Sequence, residues 1–134
     1  MSKEYFFKTE ELLIWRPSGN IDISKISDFV KFLENSILEG KKDFMRFIDL
    51  SKIESISVNH EELYGIASGR RQFASERPGI TIKLAFYVTN ALSYGMARMY
   101  ENMLDNTPFD IRIYYTINEV AKFLGVDYSL LIES

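Results

Sequence analysis

The fold is decided by the stretch FMRFIDL, residues 44–50, which is apolar at nearly every position. A strand with one face in water alternates apolar and polar residues, whereas a nearly continuous apolar run indicates a strand covered on both faces. Residues 80–88 form a second stretch of this kind. The two strands predict a largely parallel central sheet, because helices are the elements that cover both faces of such a sheet.

The remaining segments supply neighbours for these strands. Residues 5–9 and 12–16 predict two short strands joined as a hairpin, and residues 109–115 predict a last strand. Apolar residues at helical spacing predict four helices, and each follows a capping residue: Asp22 or Ser24, Asn59, Thr89 or Asn90, and Thr116. Residues 17–20 are interpreted as a turn and residues 52–57 as a linker.

The predicted fold is therefore α/β, with a mostly parallel sheet of about five strands and four helices. The expected order of elements is β-β-α-β-α-β-α-β-α. No linker is long enough to divide the chain, so residues 1–134 are predicted to form a single domain.

Composition argues against several classes of function. The net charge is −3 and there is no basic stripe, so nucleic-acid binding is not expected. The chain has no cysteine and one histidine, so we predict no disulfide, no metal site and no cofactor. The sequence opens without a secretory signal pattern, and no apolar run reaches the roughly 20 residues that span a bilayer. We expect a cytoplasmic protein with no membrane span.

Residues 47–56, FIDLSKIESI, resemble the third strand and following turn of the STAS domain. This domain is the fold of bacterial anti-sigma-factor antagonists and of the cytoplasmic tails of sulfate transporters. Residues 95–101 and 107–112, GMARMYE and TPFDIR, resemble a bacterial subgroup called SpoIIAA-like or STAS/SEC14-like. Residues 116–124 are similar to the family's last capped helix. The resemblance covers almost the whole chain and implies a regulatory module that acts through protein contacts.

The sequence departs from the family at the residue that carries its switch. In the antagonists, an Asp-Ser-Ser-Gly motif opens the second helix, and a partner kinase phosphorylates the second serine. The matching positions here are Ser57, Val58, Asn59 and His60. Asn59 has no hydroxyl group, so the resemblance predicts a binding module without this switch, with Ser57 as an alternative hydroxyl.

The candidate site for a protein partner lies beyond the carboxyl ends of the strands, where ligands of open parallel sheets bind. The polar residues expected at this edge are Asp49, Ser51, Ser57, Asn59, Thr89 and Asn90, with His60 beside them in the first turn of the second helix. Helix capping and turn formation also explain Asn59 and either Thr89 or Asn90.

A carrier for a small apolar or lipid-like ligand is the alternative function. The third helix carries an apolar stripe that includes Met96 and Tyr100, and this stripe is predicted either to pack in the core or to line a pocket. Arg98 would lie near the mouth of that pocket. Arg70 and Arg71, on the second helix, are predicted to bind an acidic group or to form surface ion pairs.

Two other hypotheses rest on few residues. An enzyme would use Asp49 and His60, but the glutamates that follow His60 do not face it on a helix, so a non-catalytic protein is predicted. The aromatic strand at residues 5–7 could form an exposed sheet edge, which predicts a homodimer as one possible state.

Overall fold

The computed structural model of the chain describes residues 4–40 and 44–133. Residues 41–43, predicted to link a helix to the next strand, lie outside this part. The described elements, in chain order, are β1 (Tyr5–Thr9), β2 (Leu12–Trp15), β3 (Gly19–Ile21), α1 (Ile23–Leu38), β4 (Met45–Asp49), β5 (Ile53–Ile56), α2 (His60–Ser75), β6 (Ile82–Tyr87), α3 (Ala91–Met103), β7 (Phe109–Tyr114), α4 (Ile117–Leu124) and a 3-10 turn at Tyr128–Leu130.

Five strands form the central sheet, in the order β1-β2-β4-β6-β7. β1 pairs with β2 in antiparallel orientation, and every other neighbouring pair in this sheet is parallel. The predicted opening hairpin, the mostly parallel five-stranded sheet and the four helices are thereby confirmed. β1 lies at the edge of the sheet, where Phe6 is 41% exposed.

The predicted order of elements lacks two strands. β3 and β5 pair in parallel as a separate two-stranded sheet, so residues 17–20 are more than a turn and residues 52–57 are more than a linker. Asn20 holds the two strands together, because its Oδ1 accepts hydrogen bonds from the hydroxyls of Ser55 (2.7 Å) and Ser57 (2.9 Å). These strands have three and four residues, too short to show an alternating pattern, and they pair only through tertiary contact.

The two faces of the central sheet carry different helices. Helices α1, α2 and α3 pack on one face, over a large core that includes Trp15, Phe29 and Phe86. Helix α4 and the segment after it cover the other face, over a smaller core that includes Phe47 and Leu131. Burial on both faces explains why residues 44–50 are apolar with little alternation.

Each helix begins at a predicted cap. The side chains of Asp22, Asn59, Asn90 and Thr116 accept hydrogen bonds from backbone N–H groups in the first turns of α1, α2, α3 and α4. Among the residues described, no helix is both long and apolar enough to cross a membrane.

Candidate functional site

Asp49, the first residue of the predicted contact surface, lies buried at the carboxyl end of β4. Its Oδ1 accepts a hydrogen bond from the backbone N–H of Ser51 at 2.9 Å. Its Oδ2 lies 3.5 Å from Nη1 of Arg16, whose side chain is only 11% exposed. The carboxylate therefore joins the ends of two neighbouring strands, β2 and β4, through an ion pair that water barely reaches.

The segment after α4 covers this ion pair. Nη2 of Arg16 donates to the backbone carbonyl of Leu131 at 2.6 Å, and Leu131 is fully buried. Lys52 forms an ion pair with Glu133, and the hydrogen bond between the two side chains lowers the pKa of the Glu133 carboxyl. Asp49 thus serves as an internal anchor and does not line an open surface.

Ser57 and Asn59 also make bonds within the chain. The Ser57 hydroxyl donates to Asn20, and its backbone N–H donates to the carbonyl of Ile21 at 2.8 Å. Asn59 and Glu62 form a reciprocal capping box, with N–H to side-chain distances of 2.8 and 3.0 Å. These contacts account for both residue types without a ligand.

Asn90, Thr89 and His60 are the remaining polar residues that the sequence predicts at this edge. Asn90 caps α3 and accepts hydrogen bonds from the backbone N–H and hydroxyl of the buried Ser93, each at 2.9 Å, whereas Thr89 is exposed. His60 is exposed as the first residue of α2, and its ring stacks on Tyr64 at 6.4 Å between centroids. The carboxyl edge is therefore built mostly from turns and caps, with one exposed aromatic pair.

Within residues 4–40 and 44–133, no three side chains of His, Cys, Asp or Glu come together in a way that could hold a metal ion.

A partly open cavity of about 50 Å³ lies between α1, α2, α3 and the sheet. Its walls are mainly apolar and include Trp15, Phe29 and Leu63. Two of the residues predicted for a ligand pocket, Met96 and Tyr100, line it from α3. Arg98, the third, does not: its side chain is 52% exposed and pairs with Glu101 at 2.5 Å on the outer face of the helix.

Two buried arginines line this cavity in the place that Arg98 was expected to take. Arg46, on β4, and Arg70, on α2, are each only 2% exposed. Their guanidinium carbons lie 6.0 and 5.8 Å from the centre of the Phe109 ring, which starts β7. The guanidinium groups therefore lie near the amino edge of the sheet, opposite the edge where the sequence placed the site.

Arg70 is the more informative of the two. Its Nη1 donates to Oε2 of Glu34, on α1, at 2.9 Å. Its Nη2 is buried, and no acceptor among the described residues lies within hydrogen-bond distance of it. The guanidinium group lies over the rings of Phe73 and Phe109, 5.1 and 5.8 Å from their centres, but Nη2 itself regains no hydrogen bond for the hydration that it loses.

Tyr100 lines the cavity together with the two arginines. The residue as a whole is partly exposed, yet burial raises the pKa of its hydroxyl, and the charges of Arg70 and Arg46 act in the opposite direction. With a raised pKa the hydroxyl remains neutral near pH 7 and can donate a hydrogen bond.

The sequence contains weak signals for both arginines. Arg70 shares a helical face with Leu63 and Ala67, at spacings of seven and three residues, so its burial follows from the helical period. Arg46 lies inside a strand that is covered on both faces. Neither signal identifies a site by itself. The structure is needed to show that Arg46 on β4 and Arg70 on α2 both lie beside Phe109 at the start of β7.

Comparisons of the chain with protein-family models, curated proteins and solved structures found no match. The similarity to STAS domains therefore stays a prediction.

Proposed function

We propose that this chain is a non-catalytic binding module that holds a small ligand in the cavity between α1, α2, α3 and the sheet. The observation that carries the proposal is the cavity itself, with apolar walls and a buried guanidinium nitrogen beside them. Protein cores contain few voids larger than a water molecule. A bound ligand would fill this space of about 50 Å³ and gain contact with its apolar walls.

The size of the cavity limits the ligand. Engineered cavities of about 150 Å³ take up benzene or xenon, so the present cavity suits a shorter molecule. A long lipid chain would need α1 or α2 to move outward. The module is therefore proposed to bind a compact molecule with a short apolar part.

Filling the cavity is expected to block binding. Ile66 lines the cavity from α2, and Ile66→Phe should lower the affinity for small neutral probes such as xenon and isobutanol at least tenfold. The melting temperature of the wild-type protein should rise by a few degrees at a saturating probe concentration, because binding adds about 1–2 kcal/mol to the free energy of unfolding. Leu92→Phe, at a position on α3 that is 52% exposed, is the matched control and should bind like wild type.

Two readouts check this prediction. Trp15 is the only tryptophan and lines the cavity, so its fluorescence reports on occupancy of this site. Native mass spectrometry of freshly purified protein detects a ligand that copurifies. A ligand-free mass, together with unchanged melting temperature and fluorescence across the whole probe set, would remove the proposal.

Protein contact at the start of α2, within a STAS-like fold, is the second candidate. It is favoured by the exposed His60–Tyr64 ring pair, in which Tyr64 is 53% exposed. Glu54 and Glu61 are exposed near this pair in the chain, so the proposed partner presents a basic surface with room for an aromatic ring.

Site-specific crosslinking in cells tests this second candidate. A photoreactive residue replacing Tyr64 is expected to capture one partner with a basic surface, because a contact surface holds that partner within reach. The matched control is the same replacement at Tyr128, which is 45% exposed on the 3-10 turn. Equal capture from both positions would show random collision and would reject a contact at α2.

A further inference from the structure

The guanidinium group of Arg70 is satisfied on one side only. Nη1 is paired with Glu34, whose side chain is 32% exposed, while Nη2 is buried with no acceptor among the described residues. An arginine binds carboxylates best with both of its terminal nitrogens in use. The structure therefore leaves half of an anion-binding group unfilled, at a residue that lines the cavity.

We propose that the ligand of the cavity is a short-chain carboxylate, with its carboxylate group bound to Nη2 of Arg70 and its alkyl chain among the apolar walls. This inference rests on the proposed binding function and names the chemistry of its ligand. Tyr100 lines the same cavity, and we assign the second hydrogen bond to its hydroxyl. Arg46 adds a second guanidinium group to the lining.

The geometry favours a carboxylate over a phosphate. A phosphate group brings up to two negative charges and three acceptor oxygens, all of which need partners when water is excluded. Among the lining residues, Arg70 has one unfilled guanidinium nitrogen and Tyr100 has one phenol, which match the two oxygens of a single carboxylate. The small volume and apolar walls leave room for only a few carbon atoms beside them.

The test compares two ligands of nearly equal shape, butyrate and butanamide, on the whole chain at neutral pH. Trp15 fluorescence and melting temperature report the binding of each. Wild-type protein is expected to bind butyrate roughly 10- to 100-fold more tightly than butanamide, the range for a hydrogen bond to a charged group. Butanamide keeps the size and the apolar chain, so the ratio isolates the contribution of the negative charge.

Arg70→Met is expected to reduce this ratio to about one, with the affinity for butanamide changed by less than about threefold. Methionine fills similar space without charge, and the carboxylate that loses its partner, Glu34, has a side chain that is 32% exposed and stays in contact with water. Arg71→Met is the matched control, because Arg71 is exposed and bonds to the carbonyl of Met103. Arg70→Lys keeps the charge and provides a second variant if Arg70→Met fails to fold.

The outcomes separate this inference from the function on which it rests. Equal affinity for butyrate and butanamide on wild-type protein would overturn the carboxylate while leaving a neutral ligand in place. A butyrate preference that survives in Arg70→Met would overturn the role of Arg70. If no neutral probe and neither of the two ligands binds, the proposed function fails, and the inference fails with it.

Discussion

Asp49→Ala is expected to lower the free energy of unfolding by about 3–5 kcal/mol, the cost of removing one partner of a buried ion pair. Asp49 is 4% exposed, and the side chain of Arg16 is 11% exposed, so the variant would leave a guanidinium group with little water and no carboxylate at 3.5 Å. The backbone N–H of Ser51 would lose its acceptor as well. Urea denaturation of wild type and variant measures the difference.

A second ion pair in the same chain provides the control. Asp110 and Arg112 lie closer together, at 2.9 Å, but their side chains are 33% and 55% exposed. Exposed pairs contribute between about 0 and 1 kcal/mol, so Asp110→Ala should have a much smaller effect despite the shorter distance. Similar losses in the two variants would show that Asp49 is not the anchor of the carboxyl edge. Asp49→Asn keeps an acceptor for Ser51 and should fall between wild type and Asp49→Ala.

Phe29→Ala is expected to have an effect of similar size on stability. Phe29 is 4% exposed and stacks on Trp15 at 4.3 Å between ring centres, with an angle of 15° between the planes. Removing a buried aromatic ring lowers the free energy of unfolding by about 3–5 kcal/mol. The folded state no longer gains from burying the ring, and a void remains in the core. In a domain of this size, the melting temperature should fall by roughly 10–20 °C.

The same variant is expected to gain a ligand. Phe29 lines the cavity, so its removal widens a space of about 50 Å³ toward the size that takes up benzene. Benzene should therefore restore part of the lost stability in Phe29→Ala and have little effect on wild type. Phe6→Ala, at an exposed position on the edge strand, should cost less than about 1 kcal/mol. A loss in Phe29→Ala as small as that in Phe6→Ala would contradict the packing described for α1.

The parts of the fold that could be predicted are those with local signals. Continuous apolar runs identified β4 and β6, and side-chain caps at Asn59 and Thr116 identified the starts of α2 and α4. β3 and β5 have no such signal, because each is a few residues long and is stabilised by the other across more than 30 positions of the chain. Asn20, whose side chain adds hydrogen bonds between these segments, is typical of a turn in the sequence.

The candidate site was harder to predict because charge and burial conflict there. Arginine is mostly exposed in proteins, and the sequence predicts Arg98 near the mouth of a pocket and Arg70 at an acidic group or in a surface ion pair. In the structure Arg98 pairs with Glu101 outside, whereas Arg70 and Arg46 are enclosed beside Phe109. The polar residues at the carboxyl edge were located correctly along the chain, but their hydrogen bonds within the chain could not be read from residue type.

The small sheet of β3 and β5 has a mechanical consequence for the cavity. β3 leads directly into α1, and β5 leads through a short turn into α2, so their hydrogen bonds pin the first turns of both helices side by side. Toward the far ends of the helices, the Glu34–Arg70 ion pair joins α1 to α2. Any separation of the two helices is therefore expected to be largest at that ion pair, so the arginine proposed to bind the ligand also helps to hold the two helices together.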